Sequence, residues 1–150
     1  MSTPVDKFWT PWIVRAITQH FNDIDMFIQH SGMPSETSQH DTWAMIRHDG
    51  PYFKRLNPPN IFRGFIQVDI LIQAPALGDI YRMANLAGEV AELFTCIDVL
   101  DNDDNSIGVL TLTPWSDDRD IDIINFGKIP DIDHERCAVI GDYRIDLEAT

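Results

Sequence analysis

The sequence predicts an α+β fold: a mainly antiparallel β-sheet with two amphipathic helices packed on one side, in a single domain spanning 1–150. Three observations predict it. Two segments repeat apolar residues at helical spacing, and several others alternate apolar and polar residues at the period of a strand. No linker, internal repeat or low-complexity tract divides the chain. Strands with one clean polar face pair antiparallel and take helices on the other face. At 150 residues, 44% of them hydrophobic, the chain has material for a real core.

The first element follows Thr10-Pro11, an N-cap with proline at the first helical position. Trp12, Ile13, Ala16, Ile17 and Phe21 then fall at helical spacing, which predicts a helix over 11–22. "DMFIQH" and "TWAMIRH" are short strands separated by the turn-rich "SGMPSETSQHD". "HDGPYFKRLNPPN", 48–60, holds a turn dipeptide and three prolines and predicts a long loop. In "IFRGFIQVDILIQA", Phe62, Ile66, Val68, Ile70 and Ile72 share one face, while Arg63, Gln67, Asp69 and Gln73 share the other. A second helix is expected from an Asp79 cap through "IYRMANLAGEVAELF", with Ile80, Met83, Ala84, Ala87, Val90, Ala91 and Phe94 as its apolar stripe. The remaining strands are "TCIDVL", "IGVLTLT", "IDIINF" and "AVIGDYRIDLEA".

Charge is the unusual feature. The chain holds 24 acids against 11 bases, a formal net charge of −13. From Asp98 onward the acids outnumber the bases Arg119, Lys128, Arg136 and Arg144 by 14 to four. An acidic surface repels phosphates, so tight, salt-dependent nucleic-acid binding is not expected, although DNA could slide past such a surface without sticking. Cys96 and Cys137 lie far apart without a CxxC spacing and are expected as buried, unactivated thiols within strands of a protein from a reducing compartment. No signal-peptide pattern and no apolar run near ~18 residues is present, so a soluble cytosolic product is expected.

Acidic clusters invite metal chemistry, and each has a plainer explanation. "VLDNDDNSIG" spaces Asp101, Asp103 and Asn105 like the start of an EF-hand loop. Such a loop needs glycine at its sixth position and glutamate at its twelfth, where this chain has Ser106 and Leu112. Asp and Asn are also what a hairpin connection wants, because they bond their own amides, so a hairpin tip is expected. "DDRDIDI", 117–123, could hold two metal ions for hydrolysis, but Asp120 and Asp122 alternate with Ile121 and Ile123 as in any half-solvated strand. "DIDHERC", 131–137, gathers Asp131, Asp133, His134 and Cys137 without the second ligand pair that zinc requires. A metal-dependent hydrolase using the acids of 117–122 or 131–137 is therefore the alternative from another functional class. The five histidines are spread over different elements and read as surface or helix-end residues. GxSxG, GxxxxGK[ST], GxGxxG and HExxH are all missing, and no catalytic residue, metal ligand or cofactor is expected. The 48–60 segment instead offers Tyr52, Phe53, Lys54 and Arg55, aromatics beside bases in an acidic protein: either the two aromatics fold back onto the core, or the loop docks on another subunit.

Taken in order, "WIVRAITQHF", "TWAMIRHDGPYF", "FRGFIQVDILIQ", "DIYRMANLAGEVAELF" and "YRIDLEA" resemble the tail terminator, or tail completion, proteins of tailed bacteriophages. The likeness covers most of the chain as an order of elements and carries no residue signature. It implies a virion protein of the tail or neck, assembled in the host cytoplasm. Its subunits form a homo-oligomeric ring, a hexamer, that stops tail-tube growth and joins the tube protein to the head connector or stopper. It implies no enzyme activity and no cofactor. Neighbouring head–tail joining, neck and minor tail proteins are alternatives of similar kind. Two expectations attach to the residues: Tyr52, Phe53, Lys54 and Arg55 at a subunit interface, and Asp101, Asp103 and Asp104 lining an acidic channel that repels passing DNA phosphates.

Overall fold

The longest alternating segments of the sequence become the two longest strands, and they pair along their whole length. β3 (Ile61–Pro75) and β7 (His134–Glu148) run antiparallel from Ile61↔Glu148 to Pro75↔His134 without a break in register. This computed structural model describes residues 9–30, 41–56, 60–75, 81–114, 120–129 and 133–148. Among them are α1 (Thr10–Phe21), β1 (Phe27–His30), β2 (Trp43–Arg55), α2 (Arg82–Ala91), β4 (Ile97–Leu100), β5 (Ser106–Leu112) and β6 (Ile121–Lys128). The strands form one mostly antiparallel sheet in the order β1-β2-β3-β7-β5-β4, and β6 also pairs with β7. The result is a single compact α+β domain.

β7 divides its second edge between two partners. β6 takes the stretch from Glu135 to Gly141, and β5 takes Tyr143 and Arg144. Between them, Thr113 N–H donates to the Asp142 carbonyl at 2.7 Å. β1 departs from the antiparallel expectation and pairs parallel to β2.

Alternation along β3 sends Phe62, Ile66, Val68, Ile70 and Ile72 into the main core. The same core takes Ile13, Ile17 and Phe21 of α1, and Met83, Ala87 and Val90 of α2. A smaller cluster of Trp43, Leu71 and Ala138, flanked by Met45 and Ile140, forms on the opposite face of the sheet. The two faces are called here the Val68 face and the Leu71 face. Tyr143 is fully buried, and its hydroxyl donates to the Thr95 carbonyl at 2.9 Å, which keeps a buried polar group satisfied.

Several expectations need correction. Residues 48–55 are not a loop: β2 runs on to Arg55 through a bulge between Asp49 and Tyr52. The bulge accommodates the residues that read as loop, because Pro51 has no N–H to lose from the ladder and Gly50 adopts a φ of 103°. A Cβ on Gly50 would also meet the Phe65 carbonyl oxygen at 2.7 Å. Trp9, not Thr10, is the N-cap of α1, and no side chain caps that end. α2 stops at Ala91, and Ala84 is exposed rather than part of its buried stripe. Asp79 and Ile80 lie outside the described residues. Cys96 is exposed just before β4, whereas Cys137 is buried in β7. β7 begins at His134, four residues before the expected strand "AVIGDYRIDLEA".

Gly141 sits where β7 passes beneath Phe94, and a Cβ there would lie 2.7 Å from the Phe94 ring and 3.0 Å from Leu112. Gly141→Ala therefore overpacks the core, and the expected loss is about 1–3 kcal/mol. In a domain of this size that lowers Tm by about 2–4 °C per kcal/mol, read by circular dichroism melting.

Candidate functional site

The Tyr52–Arg55 stretch is a strand end, so alternation sorts its four side chains onto two faces. Phe53 packs against the main core, its ring centroid 5.9 Å from that of Trp9. Arg55 lies over the Phe62 ring at 5.1 Å on the same side. Tyr52 and Lys54 point to the Leu71 face, where they stand opposite Phe65 and Arg63. Of the four expected interface residues, only Tyr52 and Lys54 are thus presented outward on that face. Tyr52 is 61% exposed, and its hydroxyl donates to Asp49 at 2.5 Å. That hydrogen bond, and then the carboxylate charge, raise the phenol's pKa above its ordinary value.

The acidic run 101–105 forms the connection of the β4–β5 hairpin. Asp101 turns its carboxylate inward and accepts from the Asp103 amide at 2.8 Å and the Asn105 amide at 3.0 Å. Asp104 adopts the left-handed backbone, φ 62°, that Asp tolerates in turns. Asp98 accepts from the Ser106 hydroxyl across the hairpin. Two side chains of α1 tie the tip down: Trp12 Nε1–H donates to Asn102 at 3.0 Å, and Arg15 donates to the carbonyls of Leu100 and Asp101 at 2.9 and 3.1 Å. Asp101 is therefore used for structure, while Asp103 and Asp104 remain exposed.

The other acidic clusters do not converge among the described residues. Asp120 is exposed ahead of β6, and Asp122 stands on β6 opposite Ile140. Asp133 pairs with Lys128 at 2.9 Å, which lowers its pKa, while Cys137 faces the main core. No group of three His, Cys, Asp or Glu that could hold a metal occurs among the described residues. Residues 117–119, 131 and 132 lie outside them. His20 ends α1 as expected, its Nε2 2.6 Å from the Leu93 carbonyl.

The feature that motif reading missed is the Leu71 face together with β6. Phe65 (40% exposed) stands beside Tyr52 on this face, Ile124 (37%) and Phe126 (57%) lie on it at the β6 end, and Ile123 (49%) is exposed on the other side of β6. A cavity of about 350 Å³ opens here, lined by Arg47, Leu71, Phe126, Lys128, Ile129 and Arg136. It gathers three of the chain's 11 bases. Arg47 pairs with Asp69, and Arg136 donates to Gln73 at 2.8 Å. Farther along, Arg63 grips Asp146 with two bonds of 2.7 and 3.2 Å, raising its own pKa and lowering that of Asp146. The sequence did carry a signal for this surface: Ile123-Ile124 breaks the alternation, so β6 must show an apolar side chain on both faces.

No family model and no curated protein sequence matches this chain. In fold it is similar to a solved structure described only by a sequence identifier, one of ten matching solved chains. The superposition covers 91% of this chain and 94% of that one, with a TM-score of 0.52 at 14% identity. At that identity the likeness is one of fold.

The split of the aromatic pair has a direct test. Phe53→Ser removes packing from the core edge and costs about 2 kcal/mol, whereas Tyr52→Ser stays within about 0.5 kcal/mol, both read from urea unfolding midpoints. The thiols separate in the same way. Burial pushes Cys137 up to about 11, so at pH 8 a thiol reagent titrates Cys96 alone in the native protein and both cysteines in guanidinium.

Proposed function

We propose that this protein is a virion structural protein: a subunit of a ring, a hexamer, that terminates a phage tail tube and joins it to the head connector. The observation that carries this reading is the Leu71 face. Exposed Ile124 and Phe126 accompany a small cluster of Trp43, Leu71 and Ala138 there, and exposed Tyr52 and Phe65 pair farther along the same face. A monomer seldom leaves such a collection of large apolar groups in water, whereas a subunit that meets another protein has a use for it.

In this reading both amphipathic helices pack on the Val68 face, which leaves the Leu71 face for neighbours. The shared core of α1, α2 and β3 supports that division. Tyr52 and Lys54 take the interface role first assigned to the whole Tyr52–Arg55 stretch, and Phe53 leaves it. Asp103 and Asp104 line the channel at the hairpin tip, with Asp101 holding the tip in shape. A net charge of −13 suits a conduit, because carboxylates within a Debye length of ~8–10 Å repel the phosphates of passing DNA. The partners are other copies of this chain, the tube protein and the connector or stopper protein. The reading requires no catalysis and no cofactor.

Native mass spectrometry over a wide concentration range, with negative-stain imaging of the largest species, tests it. Six-fold rings with an open centre are expected. A species that remains monomeric at every concentration would overturn the reading.

A further inference from the structure

Among the described residues, two strand edges stand unpaired at opposite ends of one continuous path through the sheet. Among the described residues, β6 pairs only with β7 and β1 only with β2, so the path β1-β2-β3-β7-β6 presents an unpaired backbone edge at each end. β6 is a poorly protected edge. It runs for eight residues, with a bulge between Asn125 and Gly127, and exposes Ile123, Ile124 and Phe126, although an isolated edge is normally short, charged or covered.

The registers place the two edges level with each other. One row crosses the sheet as Phe27, Trp43, Gln73, Arg136 and Gly127; another crosses it as His30, Ile46, Ile70, Val139 and Ile123. The four residues of β1 thus occupy the same rows as the Ile123–Gly127 portion of β6, which contains all three exposed apolar side chains. Strand directions agree as well. β1 runs with β2, β3 opposes them, β7 runs with them again and β6 opposes β7. A second copy placed head-to-tail along the sheet therefore brings its β1 antiparallel to β6. In that arrangement the start of β1, preceded by exposed Asp23 and Asp25, lies beside the end of β6, where Lys128, Arg136 and Arg47 line one cavity.

We infer that β6 of each subunit accepts β1 of the next, so that the sheet continues across the subunit boundary, with Asp25 of the incoming copy set beside Lys128. Lys128 is 61% exposed and already pairs with Asp133, so the incoming carboxylate joins that pair at the surface. The contact is heterologous: each copy gives one edge and receives on the other, and repetition closes a ring when the rotation allows. The inference rests on the ring reading for its head-to-tail sense, and it adds which elements meet and in which direction.

Charge reversal in the full chain tests it, with assembly followed by native mass spectrometry and folding checked by circular dichroism melting. Asp25→Lys and Lys128→Asp each place like charges together, and each is expected to raise the half-assembly concentration by about ten-fold or more. The double variant D25K/K128D restores the attraction and is expected to fall within about three-fold of the unsubstituted chain. Rings unaffected by either single reversal, or a double variant no better than the singles, overturn the β6–β1 contact and leave the ring standing. A chain without rings at any concentration removes the ring reading and this contact together.

Discussion

The pairing of β3 with β7 is the constraint on which the rest of the structure depends. Both strands span 15 residues, and their partnership runs from end to end without a bulge. Side chains alternate across a strand, so a slip of one residue would carry Val68, Ile70 and Ile72 out of the main core and put Gln67, Asp69 and Gln73 in their place. The cross-strand Arg63–Asp146 pair marks the same register on the solvated side. With this pair fixed, β2 has one edge to join and β6 and β5 share another. The core side on which α1 and α2 bury their apolar residues is decided too.

The parts of the fold that were legible in the sequence are those where one physical signal acted alone. The alternation of 61–70 and the helical spacing of 12–21 each reflect a single buried face, and both elements stand within a residue or two of where they were expected, although beyond Ile70 β3 also buries Leu71 and Gln73 on its second face. The second half of β2 was not legible, because Gly50 and Pro51 are turn residues in most settings and here they serve a bulge inside a strand. That error left Phe53 and Tyr52 to share one fate, core or docking surface, when strand alternation turns Phe53 toward Trp9 and Tyr52 outward. Cys96 was misjudged for the related reason that a thiol next to a strand looks like a thiol within it. The acidic hairpin was legible because Asp101, Asp103 and Asn105 close the turn through local bonds between the Asp101 carboxylate and nearby amides. The Leu71 face was hidden from motif reading, since its members come from β2, β3, β6 and β7 and meet only through pairing.

Among the described residues, at least five of the chain's 24 acids are committed to structure. Asp101 holds a turn, Asp98 accepts from Ser106, and Asp69, Asp133 and Asp146 each answer a base. Pairs that face solvent add little to stability, but they fix where bases can sit in an acidic protein. The result is an uneven surface. Arg47, Lys128 and Arg136 gather at one end of β6, while Asp103 and Asp104 stand on a hairpin anchored to α1 by Trp12 and Arg15. A molecule with a strong net charge thus gathers three of its bases, two of them paired with carboxylates, beside apolar groups.

The place of β7 in the chain order has a consequence for biosynthesis. It is the last of the described strands to leave the ribosome, yet it lies in the middle of the sheet and partners β3, β5 and β6. Until it emerges, β3 keeps one edge unpaired, and β6 has no neighbour among the other described strands. Contacts between residues as far apart as Ile61 and Glu148 also make the closing step slow. The nascent chain therefore passes through a period with open, apolar strand edges, when crowding and temperature decide between folding and aggregation. Yield from a cell would depend on how quickly the C-terminal strand reaches its place, more than on the stability of the finished domain.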